Sequence, residues 1–456
     1  MIQSAGLLEA GTLDPTFADG GVQRLCFPEI SGNAATAVLA LPDKKLMVAI
    51  LLSGFHAPVA MTRLHEDGTL DTEFGGKGAG YVEVALDEAY VDLVFGLSGL
   101  NDGRWMLLGQ YQANESSDGG LFLVRQHRDG QLDESFGERG IRLISYLDMG
   151  RHEHVGVRVE VVARDDKAPT TKASRSASYP RPSAVQQPDG KIVLIAQVSH
   201  LGDGSKMKGI VLRLNSDGST DTTFNGTGFA IVELEGLTYD WNSAHGVAVQ
   251  SDGKVLVSGM YTRLATNFAG GYVTRFDATG HVDTRFNGGT VTVRQSDFAD
   301  LSALWVRETD GRIVAVGRAI REGASNGLII VLTVDGFFDF NFNQGQPLFS
   351  QLVPQGMFWE HCRGQEDGSL LVAGATGRGF VTEELTVITA RYRSDGSLDP
   401  AFNGSGFTVF DEGEEYEDIQ DMTVMVDGRI VICGFAWKAA DPLPHVDGGW
   451  LIRYLT

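Results

Sequence analysis

The chain has 456 residues, with 59 Asp and Glu against 37 Lys and Arg, for a formal charge of −22. That charge repels a phosphate backbone and no basic stripe offsets it locally, so nucleic acid is not an expected partner. Apolar content of 43% with 58 Gly and only 13 Pro argues against disorder and fits many short strands joined by tight turns, while the apolar runs fall well short of the roughly twenty residues needed to span a bilayer.

The opening segment, MIQSAGLLEAGTLD, has neither a basic leader nor an apolar stretch of signal-peptide length. Secretory export and a membrane anchor are therefore not expected; the cytoplasm is the default compartment, with non-classical export left open. At residue 11 comes GTLDPTF, a phrase that returns as GTLDTEF, GQLDESF, GSTDTTF, GHVDTRF, GFFDFNF and GSLDPAF. Its first Asp falls at Asp14, Asp71, Asp133, Asp221, Asp283, Asp339 and Asp399, at intervals of 57, 62, 88, 62, 56 and 60 residues. A period near sixty marks a repeat architecture and overrides a domain count taken from length, so residues 1–456 are read as one domain.

Between successive copies lies a second phrase, LPDKKLMVA, LNDGRWMLLG, QPDGKIVLIA, QSDGKVLVSG, ETDGRIVAVG, QEDGSLLVAG or MVDGRIVICG. An Asp-Gly step between apolar stretches is the strongest short-range hairpin signal; the first copy departs from it with Lys44 in place of Gly. A third phrase, such as MTRLHEDG or VLRLNSDG, ends in another polar turn. Each repeat thus supplies four strands, in the first copy A (35–41), B (46–51), C (59–64) and D (81–84). An isolated four-stranded sheet leaves both faces wet, and radial stacking of such sheets resolves this. The expected fold is all-β, a seven-bladed β-propeller of four-stranded antiparallel blades. Residues 21–27 read as a D strand with no blade of their own, and the chain finishes on a C strand, so the N-terminal outer strand is expected to join the C-terminal blade (419–455) and close the ring.

The repeated residues have structural readings. Asp before Pro15 and Pro400 resembles a helix N-cap, so one helical turn should follow, with Phe17, Phe74, Phe136, Phe224, Phe286, Phe342 and Phe402 as inward wedges. Calcium ligation is the competing reading, but LDxxF supplies one carboxylate where calcium needs six or more oxygens. Strand C carries Arg63, Arg125, Arg213, Arg275, Arg391 and Arg453, with Leu332 breaking the series; an Arg in a strand interior needs a partner, here a repeated Asp. Cys26, Cys362 and Cys433 read as buried thiols, with Cys26 and Cys433 held apart by an intervening strand. Together the three phrases resemble the delta-60 repeat family of bacterial repeat proteins, over nearly the whole chain, with departures at Lys44, Leu332, Thr220 and Thr279. The resemblance implies a propeller-like fold and no general substrate or catalytic residues.

Antiparallel alternation puts the A–B hairpins and C–D turns on one rim and the variable B–C and D–A connections on the other, where function is expected. The largest excursion there is the loop 148–182, whose stretch 164–178 is expected to be mobile as a lid. Seven of ten histidines, His56, His152, His154, His200, His245, His361 and His445, fall at this rim. Ten residues before each hairpin Asp stand Asn33, Asp92, Tyr179, Asn242, Asp300, Met357 and Glu417, expected to ring the mouth of the central channel, with Trp241, His245, Trp359, Glu360, His361, Asp418 and Asp421 close by. Acids, imidazoles and aromatic faces could hold a sugar, a cation or a metal; the plain alternative is a water-filled funnel. The acidic run 411–421 reads as a solvated loop. Nucleophile motifs, phosphate loops and dinucleotide fingerprints are missing, and HEH at 152–154 offers two imidazoles, which alone do not define a zinc site.

Two functions follow. The first is a non-enzymatic binding or scaffold protein, monomeric and without a cofactor, that presents the variable rim to a protein or glycan. The second is a metal-assisted hydrolase or lactonase-like enzyme, holding a divalent ion at the channel mouth to activate water.

Overall fold

The structure is a computed structural model. It describes residues 9–25, 30, 32–52, 58–76, 78–87, 89–114, 119–146, 148–149, 151–152, 155–156, 183–200, 203–365, 367–377, 385–413, 415–438 and 445–456. Tyr179, His56, His154, Cys26 and the stretch 157–182 lie outside these, as does the expected lid. Among the described residues no helix is long and apolar enough to cross a membrane.

The hairpin phrases fold as read. In the first repeat, strands A to D span Gly32–Ala40, Leu46–Leu52, Val59–Leu64 and Tyr81–Val84 and pair in that order. The second repeat gives Ala89–Gly99, Trp105–Ala113, Gly119–Gln126 and Ile141–Ser145; the third, Ala184–Gln186, Ile192–His200, Asp203–Leu214 and Phe229–Ile231. In the sixth, Met357–Gly364, Leu370–Thr376, Val387–Tyr392 and Phe407–Phe410 follow the same order. At the chain's end, Glu415–Val424, Ile430–Lys438 and His445–Tyr454 pair antiparallel, and Val22–Arg24 adds to the last of them with Val22 opposite Ile452.

The expectation of seven separate four-stranded sheets is met by five. The fourth repeat (Trp241–Val249, Val255–Arg263, Phe268–Phe276, Thr290–Val293) and the fifth (Phe298–Val306, Ile313–Arg321, Ala324–Leu332, Leu348–Ser350) form one eight-stranded sheet. A single parallel bridge, Ala269 to Phe298, merges them. A two-stranded ribbon, Arg151–His152 with Val155–Gly156, stands apart in the long insertion.

Strand B opens on an apolar run because it is covered on both faces: Ile192 to Ala196 and Ile430 to Cys433 are all at most 1% exposed. Apolar clusters fill the space between successive sheets, as where Phe74 of the first repeat packs with Trp105 and Leu107 of the second. Another cluster, with Phe17, Leu25, Cys433 and Leu451 against Val38 and Val48, brings the last sheet against the first. Cys362 and Cys433 are buried.

The LDxxF phrase makes a tight turn rather than the expected helical turn. Phe17 N–H donates to Asp14 O at 3.0 Å, and Asp14 Oδ1 accepts from Thr16 N and Oγ1 at 2.9 and 2.6 Å. The side chain that would cap a helix satisfies the turn's own donors, and the chain leaves at once into strand D. The seven phenylalanines are at most 4% exposed, as wedges must be. Each meets the turn glycine of another repeat: a Cβ on Gly218 would lie 2.8 Å from the Phe136 ring, and one on Gly11 would lie 2.9 Å from Phe402. Lys44 holds the hairpin's left-handed conformation, φ 66°, so the departure in sequence leaves the backbone unchanged.

The strand-C arginines pair with the repeated aspartates. Arg63, Arg125, Arg213 and Arg391 reach Asp71, Asp133, Asp221 and Asp399 at 2.6–2.7 Å, and Arg453 reaches Asp14 at 2.8 Å. The break in the series is at Val331, not Leu332: Val331 faces Val314 as Arg63 faces Met47, while Leu332 is the residue after it.

Candidate functional site

The A strand is an edge strand in every sheet except the eight-stranded one, where the fifth repeat's A strand meets the fourth repeat through the Ala269–Phe298 bridge, and A strands of neighbouring repeats face one another. Each described A strand carries a bulge four residues before its last paired residue, at Thr36, Phe95, His245, Ser302, Glu360 and Gln420. The third repeat's equivalent position lies outside the described residues. A bulge inserts one unpaired residue, so side chains upstream of it swap faces relative to a regular strand. This is why counting back from the hairpin Asp misplaces the expected channel ring: Asn242, Met357 and Glu417 are 0% exposed and Asp300 is 2%.

These residues tie sheets together instead of opening into a mouth. Asn242 Oδ1 accepts from Gly209 N at 2.8 Å while its Nδ2 donates to Val232 O at 2.9 Å, fastening the third repeat to the fourth. Glu417 Oε1 accepts the Glu412 N–H at 3.0 Å. The acidic run is thus a solvated loop only in its first half; from Glu415 it is strand, with Ile419 and Gln420 buried. Trp359 is buried in the core with its ring edge-on to Tyr392, 6.3 Å between centroids, and offers no face to a ligand. Asp92 is half-buried and accepts from Gln110 Nε2 at 3.3 Å. Trp241 and Glu360 are half-buried at the strand ends and bulge. Asn33 lies in the first A strand beside a register shift, its side chain outside the described set.

Two imidazoles meet carboxylates of the following repeat. His245, at its bulge, places Nδ1 2.6 Å from Asp300 Oδ1 and Nε2 2.7 Å from Ser243 Oγ. His361, next to the bulge of the sixth repeat, has Nδ1 4.0 Å from Asp421 Oδ1. The side chains of His152, His200 and His445 are outside the described set. Ser243 is not among the residues predicted from sequence, although its spacing of two from His245, which puts two side chains on one face of a strand, was a signal that could have found it. The order Ser243, His245, Asp300 is that of a nucleophile, its base and the group that orients the base. Burial decides otherwise: Ser243 is 1% exposed, His245 6% and Asp300 2%, so no substrate atom reaches the hydroxyl. Among the described residues, no group of three or more His, Cys, Asp and Glu is placed to hold a metal ion.

Residues 187–224 and 365–402, each running from a hairpin through its LDxxF phrase, match a family described as "Domain of unknown function (DUF5122) beta-propeller". The fold is an all-β propeller. Solved structures of similar fold include an unknown function protein from Dyadobacter fermentans DSM 18053 (13% identity, 58% of this chain and 77% of that one, TM-score 0.36). Others are Drosophila Semaphorin 2a (8%, 98% and 76%, TM-score 0.45) and an alpha-L-arabinanase of Penicillium chrysogenum complexed with arabinobiose (11%, 84% and 97%, TM-score 0.40). At these TM-scores the likeness carries no argument about fold or function. No curated protein matches the sequence.

Proposed function

We propose that this propeller is a non-enzymatic binding or scaffold protein that presents its variable loops to a protein or glycan. One observation carries the reading: the polar side chains at the inner edges, Asn242, His245, Asp300, Glu417 and Asp421, are engaged in hydrogen bonds that join sheets or brace their own strands. What varies between repeats is then left in the B–C and D–A connections, carried by a rigid scaffold. The metal-assisted alternative draws no comparable support from the described residues. The test is a glycan array and a pull-down with the chain intact and with residues 148–182 deleted. Ligand captured by the intact chain and lost on deletion supports the reading; empty results from both count against it.

We further read the eight-stranded sheet as two blades joined by the Ala269–Phe298 bridge, which makes seven blades of delta-60 type in a monomeric ring closed by Val22–Arg24. The cluster between last and first sheets supports closure.

A further inference from the structure

The fifth repeat lacks a guanidinium that the other six carry. In those six the strand-C arginine lies with its guanidinium carbon 4.5–5.4 Å from the centroid of the repeat's own Phe ring. It faces the repeat's Asp, and from Arg63, Arg213 and Arg275 the terminal nitrogen donates to the next repeat's turn carbonyl, Arg128, Ala278 and Val334 respectively, at 2.6–3.1 Å. Arg125 and Arg453 do the same to Ser216 and Glu66. A planar cation between an aromatic face, a carboxylate and a carbonyl has all its faces matched.

With Val331 in that register the same surroundings form a partly open cavity of about 30 Å³, lined by Val331, Phe342, Asp339, Ser394 and Trp305 among others. That is room for on the order of two waters. Among the described residues no guanidinium lies over Phe342. Arg312 occupies Asp339 Oδ2 at 2.6 Å, but this does not close the socket. Asp71 and Asp221 each hold two cations on one oxygen, Lys45 with Arg63 and Lys191 with Arg213. The other lining cations have carboxylates of their own: Arg307 grips Asp310 through two nitrogens at 2.8 and 2.6 Å, and Arg393 lies 3.3 Å from Asp399.

A second departure falls on the same repeat. Phe340 is 78% exposed and Phe337 57%, where the other copies carry Pro, Thr or Glu and Thr, Gln, Ser or His. Aromatic rings displayed in water on the same seven-residue phrase as Asp339 and Phe342, which line the socket without its arginine, mark a contact surface. Its hairpin and turn residues put it on the rim opposite the variable loops, so it stands independently of the function proposed above.

We propose that this socket receives the arginine side chain of a partner peptide, whose flanking apolar residues lie over Phe340 and Phe337. The test is calorimetric titration of the full chain with the capped peptide Leu-Arg-Leu, and with Leu-Lys-Leu as control. The arginine peptide is expected to bind saturably and the lysine peptide at least tenfold more weakly, because an ammonium cannot stack and fork as a guanidinium does. Val331→Arg fills the socket and should weaken binding at least tenfold while raising the melting temperature. Phe340→Ala, at an exposed position, should weaken binding at least threefold with an unchanged melting curve, and it decides the question if the arginine variant fails to fold. Equal binding of the two peptides, no binding of either, or unaltered affinity in Phe340→Ala overturns the proposal.

Discussion

Asp421 Oδ2 accepts the backbone N–H of Val38 at 3.0 Å, joining the inner strand of the last sheet to that of the first across 383 positions of sequence. An edge strand leaves every second N–H without a ladder partner, and here a carboxylate from the neighbouring sheet supplies one. Thr423 Oγ1 does the same for Ala40 N at 3.2 Å. Removing the carboxylate strands a donor in a closely packed edge, so Asp421→Ala should cost about 1.5–3 kcal/mol, the range for a hydrogen bond to a charged group. Urea denaturation reads this directly.

The His245–Asp300 contact joins the fourth repeat to the fifth at a point where both partners are buried. Asp300→Ala leaves a buried imidazole nitrogen without its hydrogen-bond partner and should cost about 1.5–3 kcal/mol, the range for a hydrogen bond to a charged group. Ser243→Ala removes one neutral hydrogen bond and should cost about 1 kcal/mol. A fluorophosphonate should leave Ser243 unlabelled in the folded protein; stoichiometric labelling would restore a catalytic reading of the three residues.

The wedges and their glycines should behave as pairs. Phe136→Ala empties a fully buried site and is expected to cost about 3–5 kcal/mol. Gly218→Ala, with φ +86° and a Cβ 2.8 Å from the same ring, should be comparably damaging. Gly226→Ala has a similar φ of +72° but nothing within 4 Å of its Cβ, so only the left-handed strain of about 1 kcal/mol should appear. Thermal denaturation of the three variants separates packing from backbone strain.

Much of this scaffold was readable because each repeat states its hairpin, its wedge and its turn in local residues. Gly103 or Gly190 in a hairpin, and Phe136 before strand D, need no distant information. The site was less readable for a physical reason: in six of the repeats, among the described residues, an extra residue near the end of the A strand inverts the parity of what lies before it, a second one at Asn33 and at Asp92 shifts the first two strands again, and nothing local marks Thr36, His245 or Gln420 as such a residue. Counting along the sequence therefore sends Asn242 and Glu417 to an open mouth, when the fold buries both. The missing arginine at Val331 lies one residue from Leu332, where the bare sequence places the break, and only the register against Val314 locates it.

Acid should weaken the scaffold through the repeated aspartates. Burial disfavours the Asp71 carboxylate, but Lys45 and Arg63 outweigh it and hold its pKa down at about 2, below the ordinary 3.8. A group depressed in the folded state contributes stability that is present above its unfolded pKa and lost as pH falls through the folded one. For Asp71 that window runs from about pH 4 down to about pH 2, and the shift corresponds to about 2 kcal/mol. Asp71→Asn should therefore be less stable at pH 7 and show a flatter dependence on pH below 4, measured by urea midpoints across that range.

Deleting residues 1–27 tests the junction of the two chain ends. The deletion removes Val22–Arg24 from its place against Trp450–Ile452, and with it Phe17 from the cluster shared by the last and first sheets. It also takes Asp14 from Arg453, whose side chain is 0% exposed and whose guanidinium is already disfavoured by burial. An unpaired buried cation, an exposed sheet edge and an empty wedge site together should lower the melting temperature sharply and promote association through the new edge. Adding back a peptide of residues 9–25 should restore the transition in a concentration-dependent way, since it binds only the folded form. A melting curve unchanged by the deletion would mean that the last sheet is stable without its fourth strand and that the ends are not what holds the molecule together.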